Sequence, residues 1–327
     1  MKRQDISVCV WNIQGCTNGT IGNKLEAQET MNLTKFDIIG LTETHGNDST
    51  PICLEGYKTV SQVNRPKLNT AKKYSGGVVA MVKHEISKGV SCVKSPNLSH
   101  DVIWLKSCKS YFIIQNDIYL TILYISLEFS SYSMRETRDT FEKLEHDIAY
   151  FSQRGKIILA GDLNARTGQD LDYINDDDNS GHIPLPGDYI PDTNIKKRLN
   201  QDKICNGYGK SLLEMCKTSG LRILNGRSFG DSFGKLTCHQ YNGSSTVDYG
   251  LAHYSILRSI SYFKVLEWHE TLSDHSPISF SIVANYCPPT DNTIQLRKPT
   301  NQYKWDKESP QKFKEALLNP DIQFELE

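Results

Sequence analysis

No stretch of this sequence approaches the about 18 consecutive apolar residues of a membrane-spanning helix, so no membrane partner is expected. The start, MKRQDISVCVWN, lacks the apolar core of a secretory signal and enters a strand-like pattern at once. Nine cysteines are present, an odd number without a C-x-x-C pair. A disulfide framework and structural zinc are therefore not expected; reduced intracellular thiols are. An excess of charge is missing too: 37 basic and 38 acidic residues leave a formal net charge of −1. That argues against a strongly basic nucleic-acid coat. It leaves room for a nucleic-acid enzyme in which a metal ion and a local basic patch supply the attraction. No serine or cysteine nucleophile with a partnered base stands out, which favours direct attack by water.

What remains is a chain of 327 residues, 38% hydrophobic and 23% charged, long enough for a sizeable core. Strand-like patterns outnumber helical ones. ISVCVWNI, FDIIGLTE, YSGGVVAMVK, YLTILYISL, KIILAGDLN, LRIL, STVDYGLA, ISYFKVLEW and HSPISFSIV all read as strands. Helices are expected over residues 24–35, over 133–153 and over GKSLLEMCKTSGL. In the second, Met134, Phe141, Leu144, Ile148 and Phe151 recur at helical spacing; the third is stopped by Gly220. Residues 169–203, with NDDDNSG and three prolines, read as a long loop. After Ala284 the chain turns polar and proline-marked, a linker with a short helix expected from about Gln311 to Leu318. The order fits one α/β domain over 1–285, two packed sheets flanked by helices, and a tail over 286–327.

Several of these strands end in polar side chains. VWNIQG carries Asn12, GLTETH carries Glu43, ILYISL carries Tyr124, and LAGDLN carries Asp162 and Asn164. TVDYGL carries Asp248, and LSDHSPI carries Asp274 and His275. A carboxylate at the end of an apolar strand is costly to bury unless it is paired, hydrogen-bonded or metal-bound. Each residue has an ordinary reading by itself: a turn cap for Asp162, a solvated strand end for Glu43, a core side chain for Tyr124. Six such stretches together point to one site at one end of a sheet. Phosphodiester hydrolysis would use this set. A hard cation such as Mg²⁺ prefers oxygen ligands and needs only one or two carboxylates. A further carboxylate orients water, and a histidine held by an aspartate stabilises charge on phosphate.

In this order, VWNIQG, DIIGLTETH, LAGDLNARTG, TVDYGLA and LSDHSPI resemble the endonuclease/exonuclease/phosphatase superfamily, the DNase I-like fold, over residues 5–284. Within it the sequence is most similar to the apurinic-type endonuclease domain of non-LTR (LINE-type) retrotransposons. GYGKSLLEMCKTSGLRILNGRSFGD before TCHQYNGSSTVDYGLAH, and the tail YKWDKESPQKFKEAL, resemble that branch. The resemblance implies a four-layered α-β-β-α sandwich with two mixed sheets and a Mg²⁺-dependent endonuclease, Mn²⁺ substituting. It further implies DNA as partner, a reverse transcriptase fused beyond the tail, and a nuclear or intracellular setting. By position it makes Glu43 the main metal ligand with Asn12 and Asp274 near the metal. Asp162 would activate the water, while Asn164 and Tyr124 would contact the phosphate. His275 would bind a phosphate oxygen, oriented by Asp248. Gln14 stands where repair members carry an aspartate, a departure that favours the retroelement branch.

On the same chemistry, an abasic-site repair nuclease, a deadenylase and a phosphoinositide phosphatase are alternatives, as is a non-catalytic binding module that keeps the fold. DNA contacts are expected from loops at the site end. One group is Arg65, Lys67, Lys72 and Lys73 in NRPKLNTAKKYSGG, weighed there against a solvated lysine face; the other is Arg227 and Lys235 in NGRSFGDSFGK.

Overall fold

The computed structural model describes residues 4–18, 22–27, 30, 32–67, 71–130, 133, 140–174, 195–286 and 310–311. The chain divides into two compact units, Met1–Pro288 and Pro289–Glu327. Of the helix expected near the end of the tail, only Gln311 is described, and it is helical with Pro310. Met134 and residues 175–194 of the expected long loop also lie outside the described residues.

The strands of the first unit are β1 (Gln4–Asn12), β2 (Thr17–Asn18), β3 (Gly22–Asn23), β4 (Ile38–Thr42), β5 (Tyr57–Val63), β6 (Val78–Lys83), β7 (Val90–Val93) and β8 (Val102–Ser107). There follow β9 (Ile118–Tyr124), β10 (Lys156–Asp162), β11 (Leu221–Ile223), β12 (Cys238–Gln240), β13 (Gly243–Ser245), β14 (Asp248–His253), β15 (Ile260–Val265) and β16 (Ile278–Tyr286). Two six-stranded mixed sheets result, ordered β15-β16-β1-β4-β6-β5 and β11-β14-β10-β9-β8-β7. Each is built to the same pattern. A central parallel pair, β1 with β4 or β10 with β9, is flanked on both sides by antiparallel strands.

Period-two alternation assigns the faces. Ile6, Val8 and Val10 of β1 enter the core between the sheets, while Cys9 and Trp11 pack on the outer side. In β10, Ile158 and Ala160 face inward and Ile157 and Leu159 outward. The sheets approach closely at Gly40, where an added Cβ would lie 2.7 Å from Ile122 Cδ1. Against the outer face of the second sheet lie the helices Thr140–Ser152 and Gly207–Ser219, through Phe141, Leu144, Ile148, Phe151, Leu212 and Met215. Each large apolar side chain buried this way contributes about 1.5–3 kcal/mol. The Asn206 side chain caps the second helix by accepting from Gly209 N, and Gly220 ends it at φ 71°.

The outer layer on the first sheet corrects an expectation. Residues 24–35 are not one helix; they include short 3₁₀ turns at Lys24–Glu26 and Asn32–Lys35. A long-range tie overrides the local pattern. The Lys24 ammonium is drawn inward and donates to the carbonyls of Ile13 (2.8 Å), Gln14 (3.1 Å) and Leu272. Strands β5, β7 and β8 were not among those expected; β5 and β7 are edge strands with mixed, half-buried side chains that blur the alternation.

Candidate active site

The shared sheet pattern explains why the polar strand ends meet. In each sheet the two central strands are parallel, so their C-terminal ends lie side by side, and the antiparallel neighbour begins beside them. In the first sheet these ends are Asn12, Glu43 just after β4, and the Asp274–His275 pair before β16. In the second they are Asp162, Tyr124 and Asp248, with Asp162 opposite both Tyr124 and Asp248 in register.

Asp162 joins the two sheets. Its Oδ2 accepts from Asn12 Nδ2 at 2.8 Å, and its Oδ1 accepts from the Asn164 backbone N–H at 2.9 Å. Gly161 makes the position possible. Its φ is +152°, and a Cβ there would fall 1.9 Å from the Leu123 carbonyl oxygen. Leu163 turns into the outer core, and Asn164 adopts φ 48°, so that its amide reaches Ile125 O at 2.8 Å and returns toward Asp162. Burial, then the nearby Asp248 carboxylate, push the Asp162 carboxyl up to about 8.

His275 faces the same carboxylate. Its Nδ1 lies 2.8 Å from Asp248 Oδ2; its Nε2 lies 4.0 Å from Asp162 Oδ2 and 3.7 Å from Asp274 Oδ1. Burial alone would lower the imidazole pKa; Asp248 overrides it and holds the ring well above its usual value. The backbone here is pinned. Trp11 Nε1 donates to His275 O at 2.8 Å, and Ser273 Oγ accepts from His275 N and donates to Asn12 O. Thr237 Oγ1 accepts from the N–H groups of Val247 and Asp248, and Asn225 donates to Asp248 O.

On the other side, the Tyr124 hydroxyl lies near the Glu43 carboxylate. Burial, then the Glu43 and Asp162 carboxylates, push this phenol far above its ordinary range. Five non-glycine residues near these strand ends, Gln14, Glu43, His45, Asp101 and Asn164, have φ between 48° and 58°. Such backbone costs about 1–3 kcal/mol per residue and concentrates at functional sites.

The acid set suits a hard cation. Asp274 Oδ1 is buried with no hydrogen-bond partner among the described residues. A carboxylate oxygen in that state is costly until a cation or donor reaches it. Asp162, Asp248 and His275 also present ligand atoms within 4.8 Å of one another. The set thus brings together a hydrogen-bonded carboxylate with a raised pKa, an aspartate-held imidazole and a buried carboxylate oxygen that accepts no hydrogen bond among the described residues.

The expected DNA contacts divide. Lys67, Lys72, Lys73 and Lys235 are exposed. Arg65 and Arg227 are not, which corrects the expectation for both: they are buried, and carboxylates neutralise them. Arg65 Nε donates to Asp101 Oδ2 at 2.6 Å, and its guanidinium stacks over the Tyr124 ring at 5.3 Å. Arg227 pairs with the fully buried Asp172. Asp101, absent from the sequence-derived set, holds Arg65 under Tyr124 and accepts from Gly77 N at 2.7 Å. Its signal was available: SHDVIW also places a carboxylate at the end of an apolar strand. Cys238, also missed, sits in an isolated bridge with His275.

Solved structures of similar fold include the AP endonuclease LMAP from Leishmania major, at 16% identity and TM-score 0.60, covering 85% of this chain and 88% of that one. A 3′-5′ exonuclease from Neisseria meningitidis matches at 15% identity and TM-score 0.52, covering 84% and 99%. The endonuclease domain of TRAS1, a telomere-specific non-LTR retrotransposon, matches at 16% identity and TM-score 0.49, covering 85% and 98%. Among curated protein sequences none matches the chain. The family model of the endonuclease/exonuclease/phosphatase family matches residues 9–275. That span runs from the first central strand to the histidine of the site and takes in the scaffold between them: the chain belongs to the endonuclease/exonuclease/phosphatase family.

Proposed function

We propose that this chain is a divalent-metal-dependent DNA endonuclease that nicks one strand and leaves a 3′-hydroxyl for target-primed reverse transcription. In this reading residues 1–285 form the nuclease domain and 286–327 lead toward a reverse transcriptase. One observation carries the hydrolytic part: Asn12 and Asp162 from opposite sheets meet at 2.8 Å beside the Asp248–His275 pair. The retroelement part rests on the resemblance of GYGKSLLEMCKTSGLRILNGRSFGD and the tail to that branch, and on Gln14 in place of an acid.

Glu43, Asn12 and Asp274 would hold Mg²⁺, or Mn²⁺ in its place. When bound, the ion would neutralise phosphate charge and polarise the phosphoryl oxygen. The remaining steps belong to the protein. Asp162, in its ionised form, accepts a proton from the attacking water, while Asn12 and the Asn164 backbone keep its carboxylate aimed. The His275 cation, oriented through Nδ1 by Asp248, offers its Nε2 proton to a non-bridging phosphate oxygen. Tyr124 and the Asn164 amide donate to the phosphate. Exposed Lys67, Lys72, Lys73 and Lys235 would meet the DNA backbone and make binding salt-dependent.

The test is nicking of supercoiled plasmid by wild type and Asp162→Ala with Mg²⁺ or EDTA. We expect Mg²⁺-dependent nicking by wild type and a loss of about 10²-fold or more in the variant. A folded wild type that cleaves only an abasic duplex, poly(A) or an inositol phosphate would replace DNA nicking with that substrate. Equal nicking by both proteins would remove Asp162 from the mechanism.

A further inference from the structure

We propose that Cys238, Asp274 and His275 form a binding site for a thiophilic divalent cation, Zn²⁺, that shares two residues with the proposed hydrolytic site and shuts it off. The inference rests on that reading only for its inhibitory consequence. The three residues each present one ligand atom, all within 4.8 Å of one another. His275 Nε2 and Asp274 Oδ1 are 3.7 Å apart. Zn–N and Zn–O bonds of about 2.0–2.2 Å put such a pair of atoms about 3.3–3.5 Å apart around a tetrahedral zinc, so this edge needs to close by only a few tenths of an ångström.

Each donor is prepared. His275 Nδ1 is held by Asp248 at 2.8 Å, which leaves Nε2 facing the gap. An aspartate behind a ligating histidine fixes the ring and raises its basicity. Asp274 Oδ1 is buried without a hydrogen-bond partner among the described residues. Cys238, 5% exposed, lies beside His275 through an isolated β-bridge. Sulfur separates this site from the Mg²⁺ site: Mg²⁺ favours oxygen ligands, whereas thiolate and imidazole select zinc. Three protein ligands leave a fourth position for water. On binding, the ion displaces both the thiol proton and the His275 Nε2 proton to solvent and occupies Nε2 and Asp274 together. That removes the phosphate donor and one proposed Mg²⁺ ligand at once.

The test adds Co²⁺, a spectroscopic substitute for zinc, to the full chain and follows the near-ultraviolet sulfur-to-cobalt charge-transfer absorption. Wild type should show the band. Cys238→Ser should lose it while keeping the wild-type thermal melting profile, with the other cysteines in place. In parallel, Zn²⁺ is titrated into plasmid nicking at fixed Mg²⁺. The Zn²⁺ concentration for half-inhibition should rise about tenfold or more in Cys238→Ser, whose nicking without Zn²⁺ should match wild type. If Cys238→Ser does not fold, loss of the band in Asp274→Asn serves instead. No band in wild type, or an undiminished band in a folded variant, overturns the site. Equal inhibition of both proteins overturns the switch. A plasmid that is never nicked would sink the endonuclease reading and leave the cobalt result standing.

Discussion

Gly161 shows how a single missing side chain sets the chemistry. Its φ of +152° and the Leu123 carbonyl 1.9 Å from where a Cβ would sit leave room for hydrogen alone. Gly161→Ala should cost about 3 kcal/mol in urea unfolding, and its nicking should fall further than its remaining folded fraction explains. A variant as stable as wild type would show that β10 has slack at that point. The strand-end acids were legible in sequence for an energetic reason: ILAGDLN runs apolar residues into a carboxylate, which few structural roles tolerate. Arg65 and Arg227 were not legible. An arginine in a polar loop looks the same whether it faces water or a buried acid. The partners here, Asp101 and Asp172, lie 36 and 55 residues away.

Among the elements, the segment around Asp202 is held by one charge. Its carboxylate accepts Arg166 Nε and Nη2, both at 2.7 Å, and the N–H groups of Ile204 and Thr246. It thereby ties the stretch after β10 to the start of the Gly207–Ser219 helix and to the hairpin of β12 and β13. Burial would raise its pKa, but the Arg166 and backbone hydrogen bonds win and lower it. A depressed folded pKa stabilises above the unfolded value, and that contribution is lost as pH falls through the folded value. Asp202→Asn should therefore melt about 2 kcal/mol easier at pH 7, the gap closing below about pH 4. A gap that persists in acid would mean shape, not charge, holds the segment. The misread helix at 24–35 teaches the converse lesson. Its local pattern was helical, but Lys24 reaches the Leu272 carbonyl 248 residues away, and no local window contains that bond.

For the whole molecule, two sheets of the same internal pattern predict where stability and activity part company. Gly40→Val would push an isopropyl group into Ile122 and prise the sheets apart there, at about 1–3 kcal/mol. Nicking should fall more steeply than the melting midpoint, and an additional Ile122→Ala should recover part of it. No recovery would place the effect of Gly40 within its own sheet. The fold class was readable because strand signals outnumbered helical ones and came in buried runs. The pairing order was not, since which strand lies beside which is decided by partners far along the chain.

The 2.8 Å bond from Asn12 to Asp162 has a consequence for how the proposed nuclease would fail. Each residue is anchored to a different half of the sandwich, so the bond works as a gauge of their alignment. A drift of one half against the other by the length of a single hydrogen bond would leave both halves folded and the catalyst dismantled. Loss of turnover under mild urea should thus precede any change in tryptophan fluorescence, an early warning written by two residues.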